Sequence, residues 1–194
     1  MRWVWDDNAD NRIVQLWHLR EKLSASGKVV YVKFFQNRAT FLSLKIFPSL
    51  LRCLNDGYQL PRQAQQLLQL LLEDSPQTTK SLKKTTKREW GWQNKDFEGN
   101  LKILWQRLLI VGVGEVDDGA FPSLNIAATE HHFELLWQSS QSMTAEESDK
   151  ILEKWAPKDS LLRKQVVALS KIKKTKRPTK KTGTIRYQDL VKQP

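Results

Sequence analysis

Apolar residues recur at three- and four-residue steps along most of this chain, interrupted by two stretches with strand character. Ile13, Leu16, Trp17 and Leu23 predict a helix from Ala9 to Ser26, ended near Gly27. Lys28-Val-Val-Tyr-Val-Lys-Phe-Phe35 is β-branched and aromatic, so it reads as a strand. Gln36-Asn37-Arg38 then turns into a second strand, Ala39 to Leu44. Phe47-Pro48 opens a short helix through Leu54, closed by Asn55-Asp56-Gly57.

The stretch from Pro61 to Ala128 organises the rest. Pro61 to Asp74 reads as a helix with Leu67, Leu68, Leu71 and Leu72 on one face, and Ser75-Pro76 ends it. Thr78 or Thr79 can cap a short second helix through Lys84, followed by a loop containing Trp90-Gly91-Trp92. Asn94 can cap a third helix to Leu108, with Phe97, Leu101, Leu104, Trp105 and Leu108 at helical spacing. Leu109 to Val116 and Phe121 to Ile126 are strand-like and joined by Asp117-Asp118-Gly119-Ala120, which predicts a hairpin. Three helices closed by a two-stranded wing is the winged helix-turn-helix. The fold class expected is therefore α+β, mostly helical.

After the wing, Thr129 can cap a helix through Trp137, and Ser139 to Met143 reads as a polar linker. Thr144-Ala-Glu-Glu147 is a capping box for a helix through Trp155, with Ile151, Leu152 and Trp155 apolar; Pro157 breaks it. Asp159 or Ser160 caps a last helix to about Lys174, with Leu161, Leu162, Val166, Leu169 and Ile172 on one face. The expected organisation is a helix, hairpin and helix unit over 1–60, a winged-helix domain over 61–138, C-terminal helices over 139–172 and a basic disordered tail over 173–194. The first unit reads either as an incomplete winged helix, giving tandem units, or as a small α+β cap on the same core.

Composition narrows the function. At 194 residues, with 40% apolar residues and eight tryptophans, the chain can bury a sizeable core. A single cysteine, Cys53 in an apolar run, excludes an intramolecular disulfide and fits a reducing, cytoplasmic setting. The N-terminus carries no secretory pattern, and no apolar run suits a membrane span. The net charge of +11 is uneven: from Arg163 onward there are eleven Lys/Arg and one acid, Asp189. Lys173, Lys174, Lys176, Arg177, Lys180 and Lys181 crowd a segment poor in apolar residues, which predicts an unfolded arm suited to phosphates. A second concentration lies between Pro76 and Arg107. There Lys80, Lys83, Lys84, Lys87, Arg88, Lys95, Lys102 and Arg107 face three acids, a net of +5. In a winged helix these positions meet phosphates and the major groove of double-stranded DNA.

Tyr31-Val-Lys33, Arg38-Ala-Thr-Phe-Leu-Ser-Leu44 and Phe47-Pro48 resemble the AlkZ-related branch of the winged-helix DNA glycosylase superfamily. The similarity continues through Leu70–Leu82 and Phe97–Trp105 to about Trp137, and Trp90-Gly91-Trp92 is similar to the wider superfamily. The resemblance implies tandem winged-helix units. In the catalytic members these form a concave basic surface for duplex DNA, from which alkylated bases are removed. Those enzymes use a Gln pair, or Gln and Asp, separated by one aliphatic residue and placed nearer the N-terminus than the matched segments. Gln63-Ala64-Gln65 has the letters, but on a helix positions two apart point about 200° around the axis, so no catalytic residue is carried over.

No phosphate-binding glycine loop or nucleophile elbow is present, and no cofactor is implied. Gly112-Val-Gly114 lies inside a wing strand, adjacent Asp117 and Asp118 suit a turn, and His131 with His132 face different ways on a helix, a poor metal pair. The leading expectation is a non-catalytic winged-helix DNA-binding protein. The alternatives are a glycosylase, in which Trp90 or Trp92 stacks on an extruded base, and a protein-interaction module.

Overall fold

The computed structural model describes residues 26–116 and 123–172, together with Leu19, Lys22 and Leu23. The expected first helix falls mostly outside these residues, as do the wing turn and the basic tail. Among the described residues no helix is long and apolar enough to cross a membrane.

The fold is α+β, largely helical with a small antiparallel sheet. Strands β1 (Val29–Lys33) and β2 (Ala39–Ser43) pair as a hairpin, Val29 opposite Ser43 and Lys33 opposite Ala39. In the five-residue connection 34–38, Gln36 and Asn37 both take positive φ, 53° and 58°, and the Arg38 amide donates to Phe35 O at 2.9 Å. Two side chains clamp this turn. Gln165 accepts from the Gln36 amide at 3.0 Å and donates to the Phe34 carbonyl at 2.8 Å, while Gln106 donates to Asn37 Oδ1 at 3.1 Å.

Helix α1 (Phe47–Asn55) starts with Pro48 in its first turn, where a missing N–H costs nothing, and buries Phe47, Leu50, Leu51 and Leu54. Helix α2 (Arg62–Glu73) buries Ala64, Gln65, Leu67, Leu68 and Leu71. Ser75 then ties its end to the sheet, donating to the Leu71 carbonyl and accepting the Ala128 amide at 3.0 Å. A two-residue strand β3 (Gln77–Thr78) leads into α3 (Thr79–Trp90), and α4 (Asn94–Gln106) follows. Strands β4 (Ile110–Val116) and β5 (Ser123–Ala128) pair with a bulge between Gly112 and Gly114. The sheet order is β2-β1-β4-β5-β3, so the first hairpin and the later strands form one sheet. They join where Tyr31 lies opposite Gly112. A Cβ on Gly112 would stand 2.1 Å from Tyr31 Cδ1, so only glycine admits the ring there.

The remaining helices are α5 (Thr129–His132), α6 (Glu134–Ser142), α7 (Ala145–Trp155) and α8 (Leu161–Lys171). α6, α7 and α8 all pack on α1. Buried residues from α1, α2, α4, the sheet and the C-terminal helices belong to one apolar core.

Several boundaries differ from the sequence reading. α3 does not stop at Lys84 but runs to Trp90, because Gly91 at φ 67° supplies a left-handed terminus and donates to Lys87 O at 3.0 Å. The cap of α4 is Gln93, not Asn94, its amide donating to Asp96 Oδ2 at 2.9 Å. Thr129 is no cap: its hydroxyl donates to the Leu108 carbonyl at 2.6 Å. Helix continues through the stretch read as a polar linker, since Ser140 is buried and donates to Trp137 O at 2.7 Å. The capping box at Thr144 and Glu147 and the cap at Ser160 are where the sequence places them. α8 ends at Lys171 rather than near Lys174, with Leu161 and Ile172 exposed rather than on the buried face.

Candidate nucleic-acid interface

Helix α3 is held at its start by sequence-local chemistry and by the sheet. Thr78 Oγ1 accepts the Ser81 amide at 3.1 Å, and β3 pairs Gln77 and Thr78 with Ile126 and Asn125 of β5. Leu82 and Thr86 are buried. Burying a leucine contributes about 1.5–3 kcal/mol, enough to fix the face the helix turns inward. Lys80, Lys83, Lys84, Lys87 and Arg88 then occupy an arc of about 140° on the other side, at 100° per residue. Lys80, Lys84, Lys87 and Arg88 are exposed and Lys83 is half-buried. Arg88 Nε contacts Glu89 Oε1 at 2.8 Å, a solvated pair worth little.

This stripe opposes the helix that carries it. Lys80 with Lys84, Lys83 with Lys87 and Lys84 with Arg88 are like charges four apart, each costing about 0.2–0.5 kcal/mol. Lys80 also stands in the first turn, where the helix dipole disfavours a cation. An anionic surface laid along the arc would remove these penalties.

On α4, Phe97, Leu101, Leu104 and Trp105 are buried, while Lys95 and Lys102 are exposed. Seven residues apart, they share a face, with Glu98 between them.

Arg107 does not join them, contrary to the sequence reading. It is 2% exposed; Nη1 donates to Leu54 O at 2.6 Å and Nη2 to Leu169 O at 3.2 Å. Both carbonyls lie in the last turns of helices, α1 and α8, where the dipole is negative. Burial lowers the guanidinium's pKa, and Tyr58, whose ring it covers, works in the opposite direction. The one sequence signal for this placement is the run Leu104-Trp105 before it and Leu108-Leu-Ile-Val111 after it, an apolar neighbourhood that an exposed arginine does not need.

Trp92 is also withdrawn, at 7% exposure, and its ring packs 5.0 Å from that of half-buried Trp90. The two tryptophans brace each other at the turn between α3 and α4, so Trp92 offers no face to an extruded base. Lys173, Lys174, Lys176, Arg177, Lys180 and Lys181 lie outside the described residues.

Gln63 and Gln65 diverge. Gln65 is buried and its amide donates to Leu60 O at 2.8 Å, whereas exposed Gln63 accepts from Asn100 Nδ2 at 3.3 Å. A recess lies beside α5 and α6, lined by Glu130, His131, Glu134 and Trp137 among others. Among the described residues no group of three His, Cys, Asp or Glu is placed to hold a metal ion.

Comparison with known proteins adds one finding. No curated protein and no solved structure matches the chain. The model of the family described as AlkZ related matches residues 1–174. With that match covering all of the described elements, the chain belongs to the AlkZ-related family.

Proposed function

We propose that this protein is a non-catalytic winged-helix protein that binds double-stranded DNA, related to the glycosylases that remove alkylated bases. The observation that carries this reading is the one-sided stripe of Lys80, Lys83, Lys84, Lys87 and Arg88 on α3. The order α2, β3, α3, α4, β4, β5 supports a winged helix, in which α3 and α4 would be the pair that meets DNA. Lys95 and Lys102 add charge from α4, and the basic tail adds sequence-independent phosphate contacts. Arg107 and Trp92 are left out of the interface because neither has surface to offer.

Family membership favours a second reading, a DNA glycosylase. Against it stands the glutamine pair of those enzymes, which is not identified in this sequence and which the diverging Gln63 and Gln65 do not supply.

The test is duplex binding against salt for the full chain and for a chain ending at Lys171, using plain DNA and DNA with an alkylated base, each assayed for abasic product. Both chains are expected to bind, without product. A chain neutralising about six phosphates loses on the order of a thousandfold in affinity between about 50 and 200 mM salt. Abasic product overturns the non-catalytic reading. Binding lost with the tail overturns the reading of α3 as the DNA-binding element.

A further inference from the structure

Trp155 closes α7 with half of its surface open to solvent. Its spacing from Ile151 and Leu152 predicts a packed residue, yet only Leu152 is fully buried. Two cations attend the open ring. Lys45 Nζ, from the turn ahead of α1, lies 6.0 Å from the ring centre, and Lys154 Nζ lies at 5.9 Å. Ammonium groups at that range are attracted by an aromatic face and, at the same time, remain available to an anion. The neighbouring acid, Glu153, is paired with Lys158 at 3.2 Å.

We propose that Trp155, Lys45 and Lys154 form a binding site for an unpaired nucleotide of a single-stranded nucleic acid. The base stacks on the indole, and the flanking phosphates meet the two ammonium groups. A duplex cannot use this site, because its base faces are already stacked. A cationic peptide is repelled by both lysines. An apolar peptide seated on Trp155 would strip water from two charges without compensation. A nucleotide supplies both complements, a π-face and a negative charge. The inference does not rest on duplex binding by α3, which uses other residues.

The test titrates the full chain, Trp155→Phe, Trp155→Ala and Lys45→Gln/Lys154→Gln with oligo(dT) and oligo(rU) of about ten nucleotides, within the site sizes known for single-strand binders. Affinity is read by anisotropy and stacking by tryptophan fluorescence. Trp155→Ala is expected to weaken binding about 5- to 100-fold, with Trp155→Phe between it and wild type. Quenching by the oligonucleotide should fall in both. The double glutamine variant should reduce the salt slope by about 1.4, at about 0.7 per phosphate on a single strand. Preference for oligo(dT) or oligo(rU) identifies DNA or RNA as the source, and either supports the site. Trp155→Phe keeps an aromatic ring in place, so it reports even if the alanine variant folds poorly. Affinity within twofold of wild type and unchanged quenching in Trp155→Phe, or in a folded Trp155→Ala, overturn the proposal. A charge-reversed α3 that loses duplex but keeps oligonucleotide binding separates this site from the duplex surface.

Discussion

The guanidinium of Arg107 lies 3.3 Å from the centre of the Tyr58 ring, stacked across it in the interior of the protein. The same group donates to carbonyls of Leu54 and Leu169, and Asn55 Nδ2 returns a bond to the Arg107 carbonyl at 2.8 Å. One side chain thus joins the ends of three helices, α1, α4 and α8.

Arg107→Ala is therefore expected to act on stability, not on DNA. It removes two charge-assisted hydrogen bonds, to the Leu54 and Leu169 carbonyls, and leaves an empty place over Tyr58, costing about 3 kcal/mol or more. Arg107→Lys should recover only part of this, because an ammonium lacks the planar fork and stacks less well. Urea midpoints measure the loss. A variant with an unchanged midpoint and weakened duplex affinity would contradict the buried placement.

The α3 stripe makes the opposite prediction. Lys84→Ala, Lys87→Ala and Arg88→Ala should each leave the unfolding free energy from urea titration within about 0.5 kcal/mol of wild type, as surface changes do. Each that removes a phosphate contact should lower the slope of log affinity against log salt by about 0.9. Binding isotherms at four salt concentrations decide it; slopes unchanged in all three variants would remove α3 from the interface.

Gly112→Ala places a methyl group against the ring of Tyr31 and should cost about 1–3 kcal/mol, as overpacking does. The same substitution in a Tyr31→Ala background should cost much less. The double-mutant cycle reads the difference, and additive losses would count against the contact.

Glu147 gives a pH prediction. Its carboxylate accepts from the Thr144 amide at 2.8 Å and hydroxyl at 2.9 Å, and these bonds hold its pKa below the ordinary 4.5. A lowered folded pKa means the contribution is complete above the unfolded value and disappears as pH falls through the folded one. The melting-temperature gap between wild type and Glu147→Gln should therefore shrink below about pH 4.5 and stay constant above pH 6. A gap independent of pH would show that the box does not depend on charge.

Much of the fold was legible because its signals are local. The leucine spacing of α2, the Thr78 cap, the capping box at Thr144 and Glu147 and the β-branched run of β1 each act within a few residues. What was not legible depends on distant partners. Arg107 looks like one more cation of the basic stretch after Pro76 until Tyr58 and Leu169 are beside it. The polar run at Ser139 to Ser142 looks like a linker until the helix beneath it is seen to bury Ser140. For the candidate site, the charges of α3 were readable from composition, but not their one-sided arrangement, because the expected helix ended at Lys84 and left Lys87 and Arg88 in a loop. Trp155 escaped for the reverse reason: apolar spacing suggested a core position, and the packing left half the residue outside.

The union of the two hairpins has a mechanical meaning. β1 pairs with β2 at five positions, from Val29 to Lys33, but meets β4 at Tyr31 alone. The sheet is two ladders abutting, with little backbone pairing to carry a twist from one to the other. Across the junction the ring of Tyr31 sits against Gly112, and buried Val30, Val32, Ile110 and Val111 from the two sides share one apolar core. A rotation of β4 and β5 would therefore reach the first hairpin through side-chain packing rather than through a continuous ladder.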